Sequence, residues 1–314
     1  MAGNTSRKRK NGDANDFSPK GETAASSITQ RELIEMRRYV SRIWRKCSAV
    51  QDLRGGPGVS SFKGRSMEFR EGRTYQMGPE QPCTDQRVRT GQVLTNVLSE
   101  DHERSVFVLI DGRVPMNIAT QEPSKFVLAA RMASLLGWVA CDQGSRVGGE
   151  IFSRHGHQHV RPSQGTISVI RLINMLIAAQ QNVDQYDTEI DRAAGARAFD
   201  DALLRLNDTA KSGSLVFILS DFRVTTVVAE RQLMRLSRHN KVVAVFLYDA
   251  LERVLRNRCR YRNRSFFHAR RNRLMNLMNR YAISLITCST TDDPFACLRA
   301  YFYRDRGFEN NRRH

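Results

Sequence analysis

Residues 106–116 read Val106-Phe107-Val108-Leu109-Ile110-Asp111-Gly112-Arg113-Val114-Pro115-Met116: five large apolar side chains, then an aspartate, a glycine and a basic residue. An unbroken apolar run of this length, closed by turn residues, is the pattern of a strand buried on both faces. Four more short runs follow at residues 147–152, 215–219, 242–247 and 283–287, with helical stretches near 124–142, 166–181, 193–211, 226–238, 269–281 and 294–303. Strands alternating with helices imply a mostly parallel sheet covered on both sides, a doubly wound α/β fold. Such sheets present ligands beyond the carboxyl ends of their strands, where strand order reverses. The residues after Ile110 and after Leu219 are therefore where a site is expected, and each run ends in an aspartate, Asp111 and Asp221.

Working outward, residues 1–26 carry hardly a large apolar side chain and read as a disordered basic tail that cannot offset its chain entropy by burial. Two overlapping capping boxes, Ser27-Ile28-Thr29-Gln30 and Thr29-Gln30-Arg31-Glu32, then introduce Leu33, Met36, Val40 and Ile43 at helical spacing. The Gly-rich stretch Arg54-Gly55-Gly56-Pro57-Gly58 stops any continuation. The expected organisation is a tail at 1–26, a helix with a small irregular or β segment at 27–100, the α/β domain at 101–306 and a short tail at 307–314.

Asp111-Gly112-Arg113-Val114-Pro115-Met116 resembles the Asp-x-Ser-x-Ser-Met loop of von Willebrand factor A-like domains, and Ser220-Asp221-Phe222 resembles their second aspartate loop. Gly165-Thr166 is placed where that family has a threonine. The resemblance extends to the bacterial family called domain of unknown function fifty-eight. It is carried by Phe69-Arg70-Glu71-Gly72-Arg73-Thr74-Tyr75, which looks like the F-x-E-x-R-x-Y segment, and by the helix–strand unit at 125–147. Leu219-Ser220-Asp221-Phe222 and Tyr248-Asp249-Ala250-Leu251-Glu252 match in the same order, over roughly residues 30–303. The family's G-D-D-x-R-x-I-D-W-R stretch is altered here, keeping Gly78, Asp85 and Arg87, with Glu80 as a conservative change. The resemblance implies a von Willebrand factor A-like adaptor in the bacterial cytoplasm, working beside a MoxR-type AAA+ ATPase or another protein, with its metal-ion-dependent adhesion site degenerate.

Hydroxyl ligands suit a hard cation such as Mg²⁺, and here Arg113 and Pro115 stand where the loop has serines. One expectation is that Arg113 takes the metal's place by a forked pairing with Asp111 or Asp221. The competing ones are an Arg113 turned to solvent, with the aspartates capping helices, and a surviving Mg²⁺ site. The partner-binding face is placed at Asp111, Arg113, Thr166, Ser220 and Asp221, with no cofactor expected.

Fifty Lys and Arg against 32 Asp and Glu give a net charge of +18, which attracts anionic partners without naming them. No Asp or Glu occurs between Glu252 and Asp292, while arginines accumulate with aromatic residues among them. Arg256, Arg258, Arg260, Arg262 and Arg264 are candidate anion-binding residues, and the stretch 253–280 supports an alternative reading as a nucleic-acid-binding protein. His155, His157 and His159 share one face of an extended strand, and an exposed edge explains them more simply than zinc. The six cysteines lack C-x-x-C spacing and read as reduced structural thiols. No phosphate-binding loop, nucleophile elbow or H-E-x-x-H is present, so no enzyme is expected. Residues 126–141 are interrupted by Arg131 and read as a core helix, not a membrane span. The N-terminus shows no secretory pattern, so a cytoplasmic protein is expected.

Overall fold

The computed structural model describes residues 27–43, 68–74, 94–99, 105–118, 123–153, 156–181, 189–254 and 262–309. The expected tail at 1–26, residues 310–314 of the tail expected at 307–314, and Arg256, Arg258, Arg260 and His155 lie outside them. In chain order the elements are α1 (Gln30–Ile43), β1 (Glu68–Thr74), β2 (Leu94–Ser99), β3 (Ser105–Asp111), α2 (Val114–Asn117), α3 (Lys125–Asp142), β4 (Arg146–Ser153), β5 (Gly156–Ser163) and α4 (Thr166–Gln181). They continue with α5 (Glu189–Thr209), β6 (Leu215–Ser220), α6 (Val227–His239), β7 (Lys241–Tyr248), α7 (Ala250–Val254), α8 (Arg262–Arg280), β8 (Ser284–Ser289) and α9 (Pro294–Glu309). The last helix runs past the boundary expected at residue 306.

Six strands form one sheet in the order β5-β4-β3-β6-β7-β8, parallel except for β5, which runs antiparallel to β4. The fold is therefore the doubly wound α/β arrangement that the apolar runs imply. β5 is the exposed edge strand that the histidine stretch implies; its antiparallel direction was not legible, because a polar strand carries no apolar run. Its His157 and His159 are exposed on that edge, and the His159 ring stacks on Phe107 at 5.9 Å. The β1–β2 pair is a separate antiparallel ladder.

Strand residues alternate between two cores. Val106, Val108 and Ile110 of β3 face the layer of α1, α3, α4 and α9, while Phe107 and Leu109 face α5, α6 and α8. α3 is buried along nearly its whole length, from Lys125 to Ala140, which explains its lack of an apolar stripe. In β4, a Cβ added to Gly149 would lie 2.7 Å from Leu172 Cδ1 and 3.0 Å from Val108 O, so the bare backbone lets α4 approach the sheet. α1 belongs to the same core although it precedes β1 and β2. Leu33, Met36 and Val40 are buried, and the Leu33 carbonyl accepts from Ser134 Oγ at 2.8 Å and Trp138 Nε1 at 2.9 Å. Thr29 Oγ1 accepts from the Glu32 amide at 3.3 Å, the bond expected of the second capping box. Arg131 is not an interruption of an apolar helix but the partner of Glu32, at 2.7 Å.

Strand order reverses between β3 and β6, which lie side by side with Ile110 opposite Leu219. Asp111 and Asp221 thus emerge next to each other at the switch point.

Candidate functional site

Three neighbouring strands end the same way. Asp111 at the end of β3, Asp221 after β6 and Asp249 after β7 each accept, through a side-chain oxygen, the amide of the residue two positions on, at 3.1, 3.3 and 2.9 Å. This Asx turn is what short carboxylates do where a chain leaves a strand. In the first two, the residue that donates its amide is an arginine, and its side chain folds back on the same aspartate.

Arg113 grips Asp111 with a fork, Nε to Oδ1 at 2.8 Å and Nη2 to Oδ2 at 2.6 Å. Ser220 Oγ also donates to Asp111 Oδ2 at 2.6 Å and in turn accepts from the Phe222 amide at 3.0 Å. Each oxygen of the fully buried Asp111 therefore accepts two hydrogen bonds, which fills the lone-pair capacity of a carboxylate. Arg113 Nη1 reaches the Gly195 carbonyl on α5 at 3.1 Å, and its guanidinium lies over Phe152 and Phe199, 5.3 and 5.5 Å from their ring centres. Gly195 makes room: a Cβ there would lie 3.2 Å from Arg113 Cδ. Burial disfavours the Arg113 charge, but the Asp111 carboxylate more than reverses this and raises the guanidinium pKa further.

Asp221 is served by a second cation. Lys125, the first residue of α3 and only 1% exposed, donates through Nζ to Asp221 Oδ2 and to Glu252 Oε1, both at 3.0 Å. Arg223 Nε lies 3.0 Å from Asp221 Oδ2, and Arg270 Nη2 lies 2.7 Å from Glu252 Oε2 while its guanidinium covers the Phe246 ring. Burial alone would raise the pKa of both carboxyls. The cations outweigh it, with Lys125 foremost, then Arg223 and Arg113 for Asp221 and Arg270 for Glu252, so both acids sit below their ordinary range. Phe222, between Asp221 and Arg223, adopts φ +45°, a backbone region costly for an aromatic residue, and its buried ring meets Phe199 edge-on at 6.1 Å.

Of the sequence-derived set, Asp111, Arg113, Ser220 and Asp221 come together. Thr166 does not, and that expectation is corrected. β5 is antiparallel to β4 and pairs Ser163 with Val147, at the start of β4, whereas Asp111 pairs with Phe152 near its end. Thr166 follows β5 and so begins α4 at the opposite end of the sheet, where its Oγ1 accepts from Arg37 at 3.5 Å. The segment that returns to Asp111 is α5, through Gly195. Arg262 and Arg264 fall in α8, and the positions of their side chains lie outside the described residues.

Sequence reasoning missed Lys125, Arg223, Glu252, Arg270 and Gly195. A signal existed for the first: a lysine in the first turn of a helix opposes the helix dipole, so one placed just after the capping Ser124 and before an apolar stretch implies a carboxylate nearby. The repeated Asp-x-Arg at 111–113 and 221–223 was the signal for the second.

A family model described as "Protein of unknown function DUF58" matches residues 71–264. The chain belongs to this family. That match takes in β3 to α7, and with them Asp111, Lys125, Asp221 and Glu252 of this DUF58 chain, and it stops short of Arg270 and β8. No curated protein matches the sequence. Among solved structures, the pilus adhesin SpaC from Lactobacillus rhamnosus GG aligns at 11% identity with a TM-score of 0.37, covering 66% of this chain and 30% of the adhesin. This DUF58 chain therefore spans under a third of the adhesin's length, and the likeness adds nothing to the reading of the site. No helix among the described residues is long and apolar enough to cross a membrane.

Proposed function

We propose that this DUF58 member is a non-enzymatic, protein-binding adaptor of von Willebrand factor A-like type, in which the chain's own cations replace a metal-ion-dependent adhesion site. The observation that carries this reading is the saturation of Asp111 by Arg113, Ser220 and the Arg113 amide, with Lys125 and Arg223 on Asp221. The donor set does not suit a divalent cation. A metal would have to displace a forked guanidinium and share the site with its charge. The strand order, with one antiparallel edge strand and both aspartates at the switch point, supports the same assignment.

A protein partner fits what surrounds the aspartates. Ile118 follows α2, and Val227 and Val228 open α6, so all three flank the ends of β3 and β6, where they are 46%, 65% and 48% exposed. The Arg223 side chain is 37% exposed beside them. Exposed apolar groups next to a rim cation are the make-up of a protein contact surface. Following the family resemblance, the partner is a MoxR-type AAA+ ATPase in the bacterial cytoplasm. Binding to the purified ATPase, read by interferometry, is expected without Mg²⁺ added to the adaptor and is weakened at least tenfold by Val227→Asp. An aspartate at the first helical position suits the dipole, so this variant keeps its fold. Binding that requires Mg²⁺ on the adaptor, or that ignores Val227→Asp, sinks the proposal.

A further inference from the structure

Cys288 and Cys297 are nine residues apart in sequence and read there as inert packing. The structure brings them together at the same end of the sheet as Asp111. Cys288 is the fifth residue of β8 and fully buried; Cys297 is in the first turn of α9 and half-buried. Their sulfurs are 2.9 Å apart. Asp292, in the turn between them, is exposed, and its ligand oxygen and both sulfurs lie within 4.8 Å of one another. Two aspartates follow β8, and the fold gives them different work. Asp293 spends both oxygens on the α9 amides of Phe295 and Ala296, each at 3.1 Å, as a helix cap. Asp292 has one oxygen fixed by the Ser289 amide at 2.8 Å. That bond orients its carboxylate, as groups behind a metal ligand commonly do, and leaves the second oxygen for another partner.

We infer that Cys288, Cys297 and Asp292 form a binding site for a thiophilic divalent cation such as Zn²⁺, with the fourth coordination position facing solvent beside Asp292. Two sulfurs and one carboxylate oxygen are a donor set that zinc accepts, and three protein ligands leave one position open. Tetrahedral zinc with Zn–S bonds of about 2.3 Å holds two sulfurs roughly 3.8 Å apart. A small rotation of the half-buried Cys297 side chain opens the pair to that separation. On binding, each thiol releases its proton to solvent and the ion takes two thiolates and one carboxylate oxygen, with no change in oxidation state. The charged groups that bear on the thiols are Asp292 and Asp293, so the surroundings favour a cation. A disulfide between the same cysteines would use neither the third ligand nor this field. The bound ion would clamp the first turn of α9 to β8, beside the turn where the Thr290 amide bonds the Tyr248 carbonyl at 3.0 Å.

The test uses the full reduced chain and Co²⁺ as a spectroscopic probe. One equivalent of Co²⁺ is expected to produce a near-ultraviolet thiolate-to-metal charge-transfer band, bleached by one equivalent of Zn²⁺. Cys297→Ser is expected to weaken Co²⁺ binding at least a hundredfold. Asp292→Asn is expected to keep the band and weaken binding about tenfold, with circular dichroism showing both variants folded. Absence of the band overturns the site. So does a band unchanged in Cys297→Ser and Asp292→Asn, which assigns the metal to other cysteines. Recovery of a Cys288–Cys297 disulfide, with no Co²⁺ band after reduction, also overturns it in favour of a redox pair.

Discussion

At the scale of single residues, the site is held by buried charges that depend on one another. Removing one partner of a buried pair strands the other and costs about 3–5 kcal/mol. Arg113→Ala and Lys125→Ala are each expected to lose that much in urea denaturation, far more than a rim change such as Arg223→Ser. Arg113→Lys is expected to recover only part of it, because an ammonium cannot reproduce the fork on Asp111 or the stacking between Phe152 and Phe199. Acidity provides a second test. Asp221 and Glu252 titrate below their ordinary values of 3.8 and 4.5 when folded. Their contribution is complete above those values and is lost as the pH falls through the lower folded ones. Urea melts from pH 7 down to 3 should show stability falling below about 4.5, with a shallower fall in Glu252→Gln. Asp111, Arg113 and Asp221 were legible in the sequence because strand ends announce themselves. Lys125 and Glu252 were not, because their meeting across 127 residues is a product of the sheet order.

Among the elements, the parallel strands and their helices were readable from period and punctuation. One error has a traceable cause. The histidines marked β5 as an exposed edge strand, but with no apolar run its antiparallel direction was not legible, and Thr166 was placed at the wrong end of the sheet. One reversed strand moves every residue that follows it to the opposite pole. α5 offers an element-scale prediction. Alanine in a helix interior gains about 1 kcal/mol over glycine, yet a Cβ at Gly195 would lie 3.2 Å from Arg113 Cδ. Gly195→Ala is therefore expected to be neutral or destabilising alone and stabilising by about 1 kcal/mol in an Arg113→Ala background. A double-mutant cycle in urea reads the difference.

For the whole molecule, the N-terminal helix is part of the core and not an attachment to it. Deleting residues 1–43 would uncover the face of α3 and α4 that Leu33, Met36 and Val40 cover and would remove the Leu33 carbonyl from Trp138. The truncated chain is expected to unfold at lower urea, and the Trp138 emission to shift to longer wavelength as its indole meets water. The Arg113–Asp111 pair has a further consequence for the molecule as a thermodynamic system. A dissociable ion stabilises a fold in proportion to the logarithm of its free concentration, so an ion-dependent surface reports the composition of its surroundings. A guanidinium tethered two residues from its carboxylate obeys no such law of mass action. It cannot be diluted, chelated or exchanged, and a surface built on it is not switched by the supply of an ion.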